Sequence, residues 1–283
     1  MKKTIQRLVF GLAATLPAVF AADTVSGTTI LSCADMESFL KQAKPGPLRS
    51  VAAGVTNSHR FTLDDGALRH DGHLQTIDEK KVKFEGVNGT EMNFRDSYKY
   101  NIAGYRLAKL LGLNMVPPYV ERKVGSEIGS VAWWVNDTMM ESQRYKKNIA
   151  IPELDRWNEQ MYAVRVFHEL VYDTDPNLTN LLITKDWQLW IIDMTRAFRL
   201  NTNLREPKNL VKCDRRLLAR LREIDADSLK QAVGDMLTKT ELRGLEARRA
   251  KIVQLFDSKI RANGEGAVLY DFARTAQACG TGL

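Results

Sequence analysis

The most constraining feature of this chain is the stretch 171–199, VYDTDPNLTNLLITKDWQLWIIDMTRAFR. It sets Asp175, Asn180 and Asp193 at separations of five and thirteen residues. Two short apolar runs, 181–184 and 187–192, flank Lys185-Asp186. The pattern predicts a loop carrying a carboxylate and an amide, a tight hairpin, and a second carboxylate at the strand end. A hairpin folds the chain back, so Asp193 arrives beside Asn180. Together they offer hard oxygen ligands suited to Mg²⁺. Asp175, one loop turn away, is free to orient a hydroxyl, and the three together point to phosphoryl transfer. A carboxylate closing a nearly continuous apolar strand is also costly unless paired or metal-bound. Asp173, two residues before Asp175, is the second choice for the catalytic acid.

With 283 residues, 44% of them hydrophobic, the chain can bury a full core. The first 21 residues read as a signal peptide. MKKTIQR precedes an apolar run at 8–21, and Val19-Phe20-Ala21 supplies small-residue cleavage geometry before Ala22. The run is short and broken by Pro17, so no stable membrane span is expected after cleavage. The alternative is an uncleaved membrane anchor. The expected location is exported, periplasmic or extracellular. The formal charge of +7 falls by three when Lys2, Lys3 and Arg7 leave with the signal, too mild to argue for nucleic acid. Three cysteines, Cys33, Cys213 and Cys279, allow at most one bridge and receive no catalytic role.

Residues 22–47 read as a helical leader, its helix at 34–43 ended by Pro45-Gly46-Pro47. Strands are expected near 49–55, 59–64 and 67–77, with Asp65-Gly66 as a turn. A helix follows at 97–111, capped by Asp96 and closed by Gly112, with Ala103, Leu107 and Leu110 inward. Two more strands lie at 116–124 and 130–135. Beyond 136 the pattern is helical, at 156–171, 214–224, 228–237 and 239–262, interrupted by the hairpin. The fold class is α+β in two lobes: a β-rich lobe at 48–135 with one covering helix, an α-rich lobe at 136–275, and a tail at 276–283. The site belongs in the cleft between the lobes.

The 171–199 segment resembles the catalytic loop and metal-binding hairpin of the protein-kinase-like superfamily in its atypical bacterial branch. HipA-like kinases are nearest; phosphatidylinositol kinases and secretory-pathway kinases lie further off. A second stretch, FRDSYKYNIAGYRLAKLLGLNMVPPYVERKV at 94–124, is similar to the passage from the covering helix to the next strand in those kinases. The resemblance spans roughly 54–270. It implies ATP and Mg²⁺ as cofactors, Asp175 as the catalytic acid, and Asn180 and Asp193 as metal ligands. It also places Gln75 in the lysine slot of the third strand and Asn101 in the helix glutamate slot, two amides able to hydrogen-bond each other. Gly54, with Val55 and Thr56, would form the turn over the phosphates. Trp134 would face the adenine ring. Lys80, Lys81 or Lys83 could supply the missing phosphate contact, with Glu91 as partner. Pro176-Asn177 stands where relatives commonly carry basic residues.

The function implied is an ATP- and Mg²⁺-dependent phosphotransferase acting on a hydroxyl of a protein, lipid or small molecule. The departures at 75, 101 and 176 support an alternative, a pseudokinase serving as a nucleotide-binding or scaffold module. A metal-dependent hydrolase using the same oxygen ligands is a third reading. His70 and His73 are expected on opposite strand faces as exposed polar residues, and His168 as a core histidine. Arg196 and Arg199 are expected in surface ion pairs, with binding of a phosphorylated partner as the alternative, and the Arg215, Arg216, Arg220, Arg222 cluster on a solvated helix face.

Overall fold

A computed structural model describes residues 31–51, 58–86 and 89–272. The signal segment, Gly54 with Val55 and Thr56, Cys279 and the 276–283 tail lie outside the described residues. Helix α1 (Cys33–Gln42) starts at Ser32 through a reciprocal capping box with Asp35 and buries Met36, Phe39 and Leu40. The short strands β1 (Lys44–Pro45) and β2 (Arg49–Ser50) both pair with β3 (Ser58–Asp64), which turns into β4 (Arg69–Gln75). The chain then makes a separate antiparallel hairpin, β5 (Asp78–Gly86) with β6 (Gly89–Ser97). Helix α2 (Tyr98–Leu110) runs directly off β6 and leads to β7 (Tyr119–Val124) and β8 (Glu127–Trp133). The first sheet has the order β1-β3-β4-β8-β7.

Register assigns the two faces of this sheet. Phe61 pairs with Gly72, Gly72 with Trp133, and Leu74 with Val131, so these share one face. That face packs under α1, where Phe39, Leu40, Phe61, Leu63, Leu74, Val120 and Val131 form one buried cluster. The opposite face carries Arg60, Asp71, His73, Gln75 and Ser130. Its Ala132 joins the main core with Tyr119 and the buried stripe of α2. Helix α1 therefore adds a second cover on the face opposite α2.

The second half is built on β9 (Met139–Met140), α3 (Glu141–Lys146), α4 (Leu154–Val171), β10 (Leu181–Ile183) and β11 (Leu189–Ile191). Helices α5 (Arg215–Glu223), α6 (Ala226–Val233) and α7 (Lys239–Asn263) follow. Gln160 of α4 pins the β10–β11 hairpin from below, donating to Trp187 O at 2.9 Å and accepting from Leu189 N at 2.8 Å. Arg248 of α7 is wholly buried; its guanidinium donates to Leu170 O, Arg199 O and Asn201 O. Burial lowers its pKa to about 10, and three carbonyls account for its retention in the core.

Several expectations are corrected in detail. The strand expected at 67–77 is shorter, the one expected at 49–55 lies only in part among the described residues, and 78–97 form a hairpin that the sequence does not signal. Ser97, not Asp96, caps α2 by accepting from Lys99 N. His70 is not simply exposed: it stacks on Trp133 at 3.7 Å, with Nε2 2.9 Å from Trp134 O. Arg199 is buried rather than on the surface. Cys33 is disulfide-bonded, and Cys213 is a free thiol whose pKa burial pushes far up. Among the described residues no helix is long and apolar enough to cross a membrane.

Candidate active site

The site is assembled by the β10–β11 hairpin. Leu181 pairs with Ile191, and one step further Ile192 N donates to Asn180 O at 3.0 Å. This register carries Asp193 to the side of Asn180. The Asn180 amide nitrogen donates to two backbone carbonyls, Asp175 O at 3.2 Å and Asp193 O at 3.4 Å. One side chain thus ties the loop to the strand end, and its Oδ1, which accepts from Thr179 Oγ1 at 3.3 Å, keeps a lone pair for a cation. Asp175 lies on the open side of the same loop, its side chain 44% exposed. Asp173 is buried instead. Its Oδ1 accepts from Asp175 N at 2.9 Å, and its Oδ2 lies 3.5 Å from His168 Nδ1. Asp173 braces the loop from behind, which leaves Asp175 as the accessible acid.

Asp193 adopts a left-handed backbone conformation, φ 54°. Aspartate tolerates this region better than most residues, and such outliers persist where the surroundings over-determine them. Here Gln75 Nε2 donates to Asp193 Oδ1 at 3.0 Å and Thr195 Oγ1 to the same oxygen at 3.3 Å. Gln75 is held in turn by Asn101, whose Nδ2 donates to Gln75 Oε1 at 2.7 Å. The Asn101 oxygen accepts from Met194 N at 2.7 Å. Two neutral amides therefore join the sheet, helix α2 and the strand end in one chain of hydrogen bonds. Gly104 leaves room for the Met194 side chain, whose Cε would lie 2.5 Å from a Cβ there. Burial raises the pKa of Asp193, with the Gln75 hydrogen bond opposing it.

One carboxylate and one amide oxygen match the usual way Mg²⁺ is held, by few protein ligands with substrate phosphates completing the shell. Among the described residues no group of three His, Cys, Asp or Glu side chains is placed to hold a metal. Trp134 follows β8 on the cleft side of the sheet, with the Arg60 guanidinium 4.1 Å from its ring centroid. Lys81 and Lys83 are spent on the hairpin, at 2.7 Å from Glu79 and 2.5 Å from Glu85. Glu91 pairs with Arg199 at 2.5 Å, not with a lysine. A cavity of about 1250 Å³ borders α1 and the β3–β4 turn; one of about 320 Å³ lies between Trp133, Trp134, Trp190 and Lys185. Neither is lined by Asp175, Asn180 or Asp193.

His73, on the cleft face, is kept uncharged by its surroundings: burial lowers its pKa to about 4 from an ordinary value near 6.5. The unfolded chain takes up this proton first, so the stabilisation is complete above about pH 6.5 and is lost as pH falls towards about 4. His73→Gln is expected to flatten that loss. Urea midpoints at neutral pH and near pH 4.5 check it, and an unchanged acid sensitivity would reject it.

Sequence reasoning did not anticipate the surroundings of Arg196. Its Nη1 lies 3.7 Å from Asp175 Oδ2, its Nε 3.6 Å from Asp96 Oδ2, and its guanidinium sits against Phe84 and Phe94 of the β5–β6 hairpin. The only signal available was its place three residues after Asp193.

Neither a protein-family profile nor a curated protein sequence matches this chain. Solved structures do. A hydra Fam20 structure with sugar superposes with a TM-score of 0.61 at 14% identity, covering 84% of this chain and 92% of that one. A Golgi casein kinase gives 0.59 at 13% identity, covering 86% and 80%. A Golgi casein kinase structure with Mn and ADP bound gives 0.60 at 12% identity, covering 84% and 79%. At these identities the likeness speaks for the fold. The chain has a two-lobed protein-kinase-like fold of the α+β class.

Proposed function

We propose that this chain is an ATP- and Mg²⁺-dependent phosphotransferase acting on a hydroxyl acceptor. The observation that supports it is the meeting of Asn180 and Asp193 at the base of one hairpin, with Asp175 accessible beside them, inside a kinase-like fold. In this reading the acceptor oxygen attacks the γ-phosphorus, and its proton passes to the Asp175 carboxylate. The bond from the γ-phosphorus to the bridging oxygen breaks, and the electron pair leaves with ADP. Mg²⁺, when bound by Asn180 Oδ1 and Asp193, supplies positive charge to the phosphate oxygens. Gln75 and Asn101 hold the Asp193 carboxylate in place. Trp134 is assigned to the adenine side of the cleft and Gly54 to the turn over the phosphates. The HipA-like resemblance and the signal segment extend the reading to an exported, atypical bacterial kinase. The acceptor is a protein, lipid or small-molecule hydroxyl.

One observation favours a second reading, a pseudokinase. The lysine and glutamate slots hold Gln75 and Asn101, bonded to each other at 2.7 Å, so the phosphates lack the fixed cation of an active site. Thermal shift separates the outcomes. ATP and Mg²⁺ together are expected to raise the melting temperature more than the two separate shifts combined. Additive or absent shifts would reject the nucleotide–metal site and the phosphotransferase reading with it, leaving only a scaffold that binds no nucleotide.

A further inference from the structure

We propose that Arg196 is the cation that faces the terminal phosphate of the bound nucleotide, held in position against the stacked Phe84 and Phe94 rings of the β5–β6 hairpin. The inference rests on the phosphotransferase reading and adds to it the residue that makes up for the uncharged Gln75. A nucleoside triphosphate brings several negative charges into the cleft. A carboxylate–amide metal site and a neutral glutamine leave part of that charge unmatched.

Position comes first. Arg196 Nη1 is 3.7 Å from Asp175 Oδ2, so the guanidinium lies beside the group that would orient the acceptor. The terminal phosphate must come within bonding reach of that acceptor, so it too lies close to Asp175. Commitment comes second. Both carboxylate contacts of Arg196, 3.7 Å to Asp175 and 3.6 Å to Asp96, are longer than a hydrogen bond. Its buried Nε makes no hydrogen bond among the described residues. Arg95 is held as loosely, 3.9 Å from Asp78, but two other arginines of this region are engaged more tightly. Arg199 meets Glu91 at 2.5 Å and Arg95 O at 2.6 Å. Arg60 meets Asp71 at 2.6 Å. Arg196 is a guanidinium with donors to spare, and a planar fork of donors suits a phosphate.

Rigidity comes third. The Phe84 and Phe94 rings stack at 4.1 Å, and the Arg196 guanidinium carbon lies 5.1 and 4.9 Å from their centroids. Cation–π contact fixes the group without using its donors. The hairpin is itself fastened to the segment after Asp193. Ser97 N donates to Thr195 O at 2.9 Å, and Arg199 Nη1 donates to Arg95 O. Phe84 is half-buried and acts as a positioning residue.

The test compares affinities for ADP and for a non-hydrolysable ATP analogue, each with Mg²⁺, by calorimetry on the full chain. Wild type is expected to bind the triphosphate more tightly. R196Q is expected to lose about tenfold of triphosphate affinity while ADP affinity stays within about twofold. R196K and F84A should lie between, and they carry the test if R196Q does not fold. Equal affinities in wild type and R196Q, or equal losses for both nucleotides, would overturn the assignment while leaving the phosphotransferase reading in place. A wild-type chain that binds neither nucleotide would remove both.

Discussion

Replacing Asp193 by alanine is expected to abolish metal-dependent nucleotide binding and to leave the fold intact. The carboxylate contributes little to folding, because burial already disfavours its charge. Its lost contacts are hydrogen bonds from Gln75 Nε2 and Thr195 Oγ1; Asn101 still holds Gln75 through Oε1, while the buried Nε2 loses its acceptor. The cation, in contrast, loses its only carboxylate. Ligand at a hundredfold excess over Kd adds about 2.7 kcal/mol of stability, which corresponds to a rise of about 5–11 °C for a chain of this size class. That rise should be seen in wild type with Mg²⁺ and ATP and be absent in Asp193→Ala. The apo melting temperature should fall by roughly 3–8 °C, from the unpaired Gln75 amide and from alanine at a left-handed position, with the fold retained. An undiminished ligand shift would remove Asp193 from the site.

The second large effect separates chemistry from binding. Asp175→Ala should lower phosphoryl transfer by about 10²–10⁴, the usual contribution of a positioned acid or base, with nucleotide affinity nearly unchanged. The loop is braced without the Asp175 side chain. Asp173 holds the Asp175 amide at 2.9 Å, and Asn180 holds the Asp175 carbonyl at 3.2 Å. Labelled ATP with the mature chain, with and without candidate protein, lipid or small-molecule acceptors, reads the transfer. Labelling that persists in Asp175→Ala would transfer the role to another residue. Tight nucleotide binding by the wild type with no labelling of any acceptor would favour the pseudokinase reading. The two variants are complementary: Asp193→Ala removes binding, and Asp175→Ala removes transfer while sparing binding.

The elements legible in the sequence are those whose partners are near in the chain. Asn180 and Asp193 meet because a tight hairpin at Lys185-Asp186 leaves little choice of register between two apolar runs. Helices α1, α2, α4 and α7 were readable from their periodic apolar positions and, for α1 and α2, their terminal signals. The β5–β6 hairpin was not readable. Its first strand, DEKKVKFEG, is exposed along most of its length and shows no alternation marking a buried face. What secures it is distant: Phe84 and Phe94 close on Arg196, and Glu91 reaches Arg199. The same holds for His70, whose stacking partner Trp133 is far off in sequence but adjacent in the sheet.

The main helices and the placing of an acid, an amide and a second acid around one turn were determined by the sequence alone. Short loops and apolar periodicity act locally and need no knowledge of the rest of the chain. Tertiary structure decided which acid is accessible, Asp175 rather than Asp173, and which arginine stays loosely held, Arg196 rather than Arg199. Both depend on burial and on partners from other elements, because a side chain's charge environment is set by what folds against it and not by its neighbours in sequence.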